Sequence, residues 1–451
     1  FAEFLCMMMS LPFIYGFANN RWTNEIDVML EKKAGVRKIH LLRIIGLLEA
    51  DFNTALKYFF AKRMMDNAEQ LGLSDEQWGS RKNRSSIDAA MLKLLMFETA
   101  RVKKATLAGS YYDLVANYDR IYKSISNLMA QRAMVDKNVL KARALVIERM
   151  RRRVKTALGT SKRSYGQERN EPEVGGEVQG KGDVPSLWCV QSDTLLRAHE
   201  RRAYGMNLQN PNRTRRIKRC NTQFVDDCDG WASADFNSED PISETMSRLQ
   251  HDAQRWNNIN NIPGQTIAFH KCKWQILAWQ VIQGDLTIVS STDELLVLKD
   301  NKGGRAIIEF LPPDQPNKGL GYLLCPDGNQ THQYNAIHHA IQELCDKVAG
   351  AQLSERDTNQ PLYQRLFPKL DYALHASYFN ASQANEIDKV IRGTFLPRMR
   401  INRKTPTAVV HGPRKYGGLE IPDCYTRQTQ HHIKYMLKQL RWDKTVGGDI
   451  L

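Results

Sequence analysis

The spacing of apolar and polar positions changes several times along the chain, and each change predicts an element. Val28 to Leu30 leads into a charged turn, Glu31-Lys32-Lys33-Ala34-Gly35. Lys38 to Ile45 (Lys-Ile-His-Leu-Leu-Arg-Ile-Ile) then alternates as a strand does. Asp51 to Ala68 predicts an amphipathic helix with Leu56, Phe59, Phe60 and Met64 on one face. A helix over 86–104 and a strand over Thr106–Tyr112 come next, and from Asp119 the pattern becomes helical. Lys137 to Thr156 reads as one strongly basic helix ending in Arg151-Arg152-Arg153. Residues 159–183 are rich in glycine, serine and charge, which predicts a long loop. Beyond it come a helix from Pro185 to Arg202, a basic loop over 207–219, and a strand arm Cys220–Val225 that runs into Asp226-Asp227. Hairpin strands are expected at Leu286–Ser290, Glu294–Lys299 and Ala306–Phe310, and the pattern is mostly helical from Thr331. No internal repeat is visible.

Composition sets the class. At about 150 residues per domain, 451 residues make roughly three domain-sized units. With 42% hydrophobic and 25% charged residues there is material for a core, which excludes a chain disordered throughout. The net charge of +15 favours a polyanionic partner, nucleic acid before an anionic membrane. None of the eight cysteines forms a CxxC pair or stands at zinc-finger spacing from a histidine. That argues against a disulfide framework or structural zinc and for a reducing intracellular setting, cytoplasm or nucleus. The apolar opening Phe4–Phe17 contains Ser10 and Pro12 and is shorter than the ~20 residues of a spanning helix, so no membrane association is expected. It also lacks the basic start and cleavage site of a signal peptide. The start at Phe1 and a helical pattern running to Trp442 lead us to expect a fragment of a larger polyprotein or an incomplete gene.

The candidate chemistry is acidic. Phe224-Val225-Asp226-Asp227 places adjacent carboxylates between a strand and a polar turn, and Asp113 comes just after a strand. Two magnesium ions roughly 3.5–4 Å apart need several carboxylate oxygens around one space. An Asp-Asp pair alone is usually a turn, so the surrounding order of motifs decides. His338-His339 and His431-His432 point in different directions on a helix and are expected in surface or packing roles.

That order resembles the reverse transcriptases of retrotransposons, especially non-LTR-like elements, over about residues 20–440. Lys38 to Asn53 is similar to the fingers segment, with Ile44 where proline is commoner. Gln77-Trp78-Gly79-Ser80-Arg81 is similar to the Gln-x-Gly-Phe/Ser-Arg block. Asp113 to Arg120 fits Asp-x-x-x-x-aromatic-Asp, and Gly176 to Pro185 fits Gly-x-x-Gln-Gly…Ser-Pro with Val184 replacing serine. Phe224 to Asp227 fits aromatic-x-Asp-Asp. Further on, His270 to Trp274 is similar to the next palm motif, Leu320 to Leu323 to the Leu-Gly turn of the primer grip, and Arg398 to Leu419 to the region after the palm.

The resemblance implies an α+β right hand: fingers over 1–104, a palm of antiparallel sheet plus helices over 105–325, and a helical thumb over 326–451. It implies an RNA-directed DNA polymerase that extends a DNA primer on an RNA template with deoxynucleoside triphosphates and magnesium or manganese, beside other domains of a polyprotein. Asp113, Asp226 and Asp227 would hold the metals. Tyr118 would exclude a ribose 2′ hydroxyl, Lys38 and Arg43 would grip the triphosphate, and Gln179 would contact the incoming nucleotide. Lys271 would meet the pyrophosphate, with Lys273 as its competitor. The basic runs Arg149–Lys155 and Arg213–Arg219, and the basic residues between Arg392 and Lys415, would contact phosphates without reading sequence. Two alternatives stand beside this reading: a catalytically inactive relative that binds nucleic acid, and an RNA-templated RNA polymerase.

Overall fold

The computed structural model describes residues 1–441 other than 33, 37, 39–40, 116, 167–175, 178 and 210–215. Its centre is a five-stranded sheet. Leu107–Tyr112 pairs antiparallel with Asp227–Ser233 on one side and with Lys273–Leu277 on the other. Asn221–Phe224 forms one edge, and Glu309–Phe310 adds a short parallel edge to Lys273–Leu277. Every residue of Leu107–Tyr112 is buried, because both faces of the sheet are covered. Leu107 and Tyr111 meet Ala89, Leu92, Met96 and Phe97 of the helix Ser86–Lys103. Ala108 and Tyr112, one residue out of phase, meet Trp188 and Leu196 of the helix Val184–Glu200 and Leu249 and Trp256 of the helix Pro241–Asn261. The strand's two-residue period thus divides its side chains between two cores.

The helix Ser86–Lys103 starts at a capping box, in which the Ser85 side chain accepts the Asp88 N–H and the Asp88 carboxylate accepts the Ser85 N–H. It is apolar on two faces. Ala90, Met91 and Leu94 meet Tyr322, Leu324, Ala376 and Tyr435 from the C-terminal third. That third is helical, as expected. Helices Thr331–Gly350, Phe367–Leu374, Ala381–Arg398 and Cys424–Arg441 surround Ile341, Leu366, Leu370, Ile387 and Phe395. Among the described residues, no helix is long and apolar enough to cross a membrane.

A second sheet has the order Leu42–Leu48, Asn24–Glu31, Arg151–Thr156, Gly159–Thr160. It corrects the single helix expected over Lys137–Thr156. The helix runs Lys137–Glu148, and Arg151–Thr156 is a strand parallel to Asn24–Glu31. The charge of the run hides its period: Arg152 points inward to a buried pair with Glu25 at 2.9 Å, while Arg151 and Arg153 point out. The amphipathic pattern over 51–68 is helical as expected, in three continuous pieces: Ala50–Leu56, the wider-wound Lys57–Met64, and Met65–Gln70. Leu56, Phe60 and Met64 are buried and Phe59 packs partly against them. The basic loop expected over 207–219 is instead a hairpin, with Met206–Gln209 paired to Arg216–Arg219; its tip, with Arg213, lies outside the described residues. The fold is mixed α+β, and its central sheet is antiparallel except at one edge.

Candidate active site

Tyr112 stands opposite Cys228 in the central pair, so Asp113 leaves its strand beside Asp227. Phe224 pairs with Asp227 across a two-residue turn, Val225-Asp226. Val225 has φ +59°, a left-handed conformation that costs a β-branched residue more than most. The surroundings hold it there. Its carbonyl accepts from Trp188 Nε1 at 2.6 Å and from Gln223 Nε2 at 2.9 Å. The segment before Gly79 runs along the outer strand: the Gln223 N–H donates to the Glu76 carbonyl, and the Trp78 N–H to the Gln223 carbonyl, each at 2.8 Å. Gly79 then lies so close to the turn that a Cβ there would stand 2.5 Å from the Val225 nitrogen. The Gln77–Arg81 block buttresses the acidic turn.

Burial pushes the Asp226 carboxyl up, the Asp113 charge adds to this, and Arg43 opposes it. Asp227 is pushed up to about 6, first by the surrounding protein and then by the charges of Asp226, Asp229 and Asp113, against Lys93. Its side chain still opens to the cleft. Lys93 and Asp229 form a buried ion pair behind it. The Asp113 carboxylate accepts from Lys271 Nζ at 3.2 Å, whereas Lys273 pairs with Glu309 at 3.1 Å, so of the two lysines it is Lys271 that meets the acidic group. These are hard oxygen donors whose charges repel one another, the chemistry that suits magnesium. The described residues nevertheless contain no group of three His, Cys, Asp or Glu side chains gathered closely enough to hold a metal ion.

A cleft of about 570 Å³ is lined by Arg43, Tyr118, Gln179, Asp226 and Asp227 together with Ser86, Leu320 and Tyr372. Arg43 comes from the strand Leu42–Leu48 and Tyr118 from a short turn after Asp113. Lys38, expected beside Arg43, is exposed and is not part of this lining. Gln179 stands in an arc anchored at several points. The Glu177 N–H donates to the Tyr118 carbonyl at 2.7 Å, the Gly46 N–H to the Gln179 carbonyl at 2.7 Å, and the Gly182 N–H to Asn53 Oδ1 at 2.7 Å. At residue 180, with φ +107°, a Cβ would come 2.6 Å from the Gly46 carbonyl, so only glycine passes. Val178, within the same motif, lies outside the described residues, as does Ala116 in the motif of Asp113.

Both ends of this arc are held by one guanidinium. Arg143, fully buried, donates from Nε to Asp183 at 2.5 Å and from Nη2 to Glu177 at 2.6 Å, and from Nη1 to Asn127 at 3.0 Å. Burial alone would lower the arginine's pKa, but the Asp183 and Glu177 charges raise it, and Arg143 in turn keeps Glu177 low. Sequence reasoning missed Arg143, because an arginine in a basic helix reads as solvated. The available signal was the pair of acids, Glu177 and Asp183, bracketing Gln179. Glu76 was missed too. It is buried, accepts from the Cys220 N–H at 2.6 Å, and is raised to about 7 by burial against the opposing charge of Arg219. The expected packing role of His431 is observed: it bonds Asp371 at 3.1 Å and packs tilted against His375 with ring centroids 3.9 Å apart.

No family model and no curated protein matches the chain. Among solved structures it is similar to apo telomerase from Candida tropicalis, truncated from the C-terminal domain, at 13% identity and TM-score 0.35, over 61% of this chain and 52% of that one. It is also similar to telomerase from Candida albicans in complex with a TWJ fragment of telomeric RNA, at 11% identity and TM-score 0.37, over 92% of this chain and 63% of that one. The chain thus spans between about half and five-eighths of those proteins' length. At such scores the likeness decides nothing about function.

The buried charges lead to two expected outcomes. Arg143→Met leaves Asp183 without its partner in the interior and Glu177 with only the more distant Lys181 at 3.8 Å, and is expected to cost about 3–5 kcal/mol in urea unfolding. Adding Asp183→Asn, with Glu177 kept for Lys181, is expected to recover part of that loss. For Glu76 the folded pKa lies above the unfolded one, so its contribution to stability is complete below 4.5 and is lost as pH rises through about 7. Stability measured against Glu76→Gln, which keeps the acceptor, should therefore fall across that window at no more than ~1.4 kcal/mol per pH unit. Parallel curves for the two proteins would refute the assignment.

Proposed function

We propose that the chain is an RNA-directed DNA polymerase of the reverse-transcriptase kind, extending a primer 3′ end on an RNA template with deoxynucleoside triphosphates. One observation supports the reading: the sheet register brings Asp113 beside Asp227, and Asp226 and Asp227 line a cleft together with Arg43, Tyr118 and Gln179. In right-hand terms the central sheet is the palm and the C-terminal helices are the thumb. The fingers sheet draws in Arg151–Thr156 as well as the first strands.

Asp226 and Asp227, joined by Asp113 once Lys271 lets go, would hold magnesium. When bound, the metal supplies charge neutralisation at the reacting phosphate and a more acidic 3′ hydroxyl. The protein's own part is positioning. Arg43, the cation in the lining, would bind the triphosphate, and the anchored arc would present Gln179 to the base or sugar. The Tyr118 ring would fill the space of a 2′ hydroxyl. Lys271 is exposed, so its bond to Asp113 is weak and it is available to a departing pyrophosphate.

In primer extension on an RNA template, Asp226→Asn is expected to lower the rate by about 10²–10³-fold while template binding holds. Equal binding with no extension by either protein would assign the chain as a nucleic-acid binder. Tyr118→Ala should raise ribonucleotide incorporation relative to deoxynucleotide by roughly tenfold or more. An unmutated protein that already uses both equally would favour an RNA-templated RNA polymerase.

A further inference from the structure

A cavity of about 660 Å³ opens at the end of the central sheet remote from the acidic turn. Leu107, the first residue of its strand, lines the cavity, whereas Asp113 follows the last, so the strand separates the two by roughly 20 Å. Ser233 pairs with Leu107, and beyond it the chain leaves the sheet through Asp235 and Phe236. The end of the helix Ser86–Lys103 and the hairpin of Met206–Gln209 with Arg216–Arg219 supply further walls.

The lining is basic. It holds Lys103 and Lys104 from the helix end and Arg216 from the hairpin, and Asp235 is the one acid among the lining residues. That acid is answered by Arg248, which is not in the lining and donates to both carboxylate oxygens, at 3.2 and 2.7 Å. Lys104 caps the helix in left-handed form, φ +52°, where glycine is usual, and its ammonium lies 4.1 Å from the centre of the Trp279 ring. Lysines at a helix end also answer the carbonyls there. That role does not account for Arg216, or for the apolar groups beside these cations. Leu107 and Met206 are buried and form a floor, and Phe236 is 57% exposed. A ring exposed among cations offers a face for stacking.

We propose that this cavity binds a phosphorylated nucleoside, with its base against Phe236 and the floor and its phosphates on Lys104 and Arg216. Cations alone would hold any polyanion, and an apolar floor alone any apolar group; a flat heterocycle that carries phosphate satisfies both. The volume falls within the roughly 300–1,000 Å³ of small-ligand sites. The same chemistry is offered by a free nucleotide and by an unstacked base in a nucleic-acid strand. The proposal does not rest on the polymerase reading, because no residue of this cavity lines the cleft of Asp226 and Asp227.

Calorimetric titration of the intact chain with ATP, in EDTA so that no magnesium-dependent site contributes, is expected to show saturable binding. Lys104→Glu and Arg216→Glu should each weaken it about tenfold or more, and Phe236→Ala about fivefold or more. All three side chains are exposed, so the thermal midpoint should not move. Arg43→Ala, in the other cleft, should leave ATP binding unchanged. A short single-stranded RNA, titrated in the same way, separates the two sources: binding of the RNA but not of ATP, weakened by Phe236→Ala, assigns the site to a base within a strand. Binding that answers to Lys104→Glu and Arg216→Glu but not to Phe236→Ala would reduce the cavity to a basic patch and overturn the proposal. Weakening by Arg43→Ala in place of the cavity variants, or no binding of either probe, would overturn it as well.

Discussion

One strand register decides where the acidic residues of the site stand. Because Tyr112 lies opposite Cys228, Asp113 emerges beside Asp227, and Asp226 stands in the turn between Phe224 and Asp227. A slip of one residue would turn every side chain of Leu107–Tyr112 to the other face of the sheet. Leu107 and Tyr111 would then meet Trp256, and Ala108 and Tyr112 would meet Phe97. With both faces packed, that exchange would disrupt two cores at once, so the register is held by apolar burial far from the carboxylates it positions.

The charged groups divide by depth. Arg143 with Glu177 and Asp183, Arg152 with Glu25, and Lys93 with Asp229 are buried and joined by direct ion pairs. Removing one partner from such a pair strands a charge in the interior, so these residues act as fixed struts. Lys271 with Asp113 is about half exposed on each side, where an ion pair contributes little. The chain is therefore stiff around the arc and the second sheet, and labile at the Asp113 carboxylate.

How much of this could be seen in the residues varies with the kind of signal. The strand before Asp113, the acidic turn and the helices from Thr331 carry ordinary periodicity or turn chemistry, and they are where the pattern puts them. The strand Arg151–Thr156 was hidden because arginine does not distinguish inside from outside until Glu25 is found opposite it. The arc around Gln179 shows its glycines, but not the arginine that holds it, which comes from a helix outside the motif. Tyr372 was invisible for a similar reason: its partners Ser86 and Leu320 are distant in the chain, and only the packed helices bring them together.

The closeness of Gly79 to the Val225 turn has an evolutionary consequence. A methyl group at 79 would collide with the backbone of 225, and no rotamer change at 225 can make room for it. The two positions are thus tied as one unit of inheritance, although they belong to different motifs. Among descendants of this sequence, drift at 79 should be tolerated only in lineages that have also reshaped the turn, so the glycine serves as a marker of which descendants still keep the acidic hairpin in its present form.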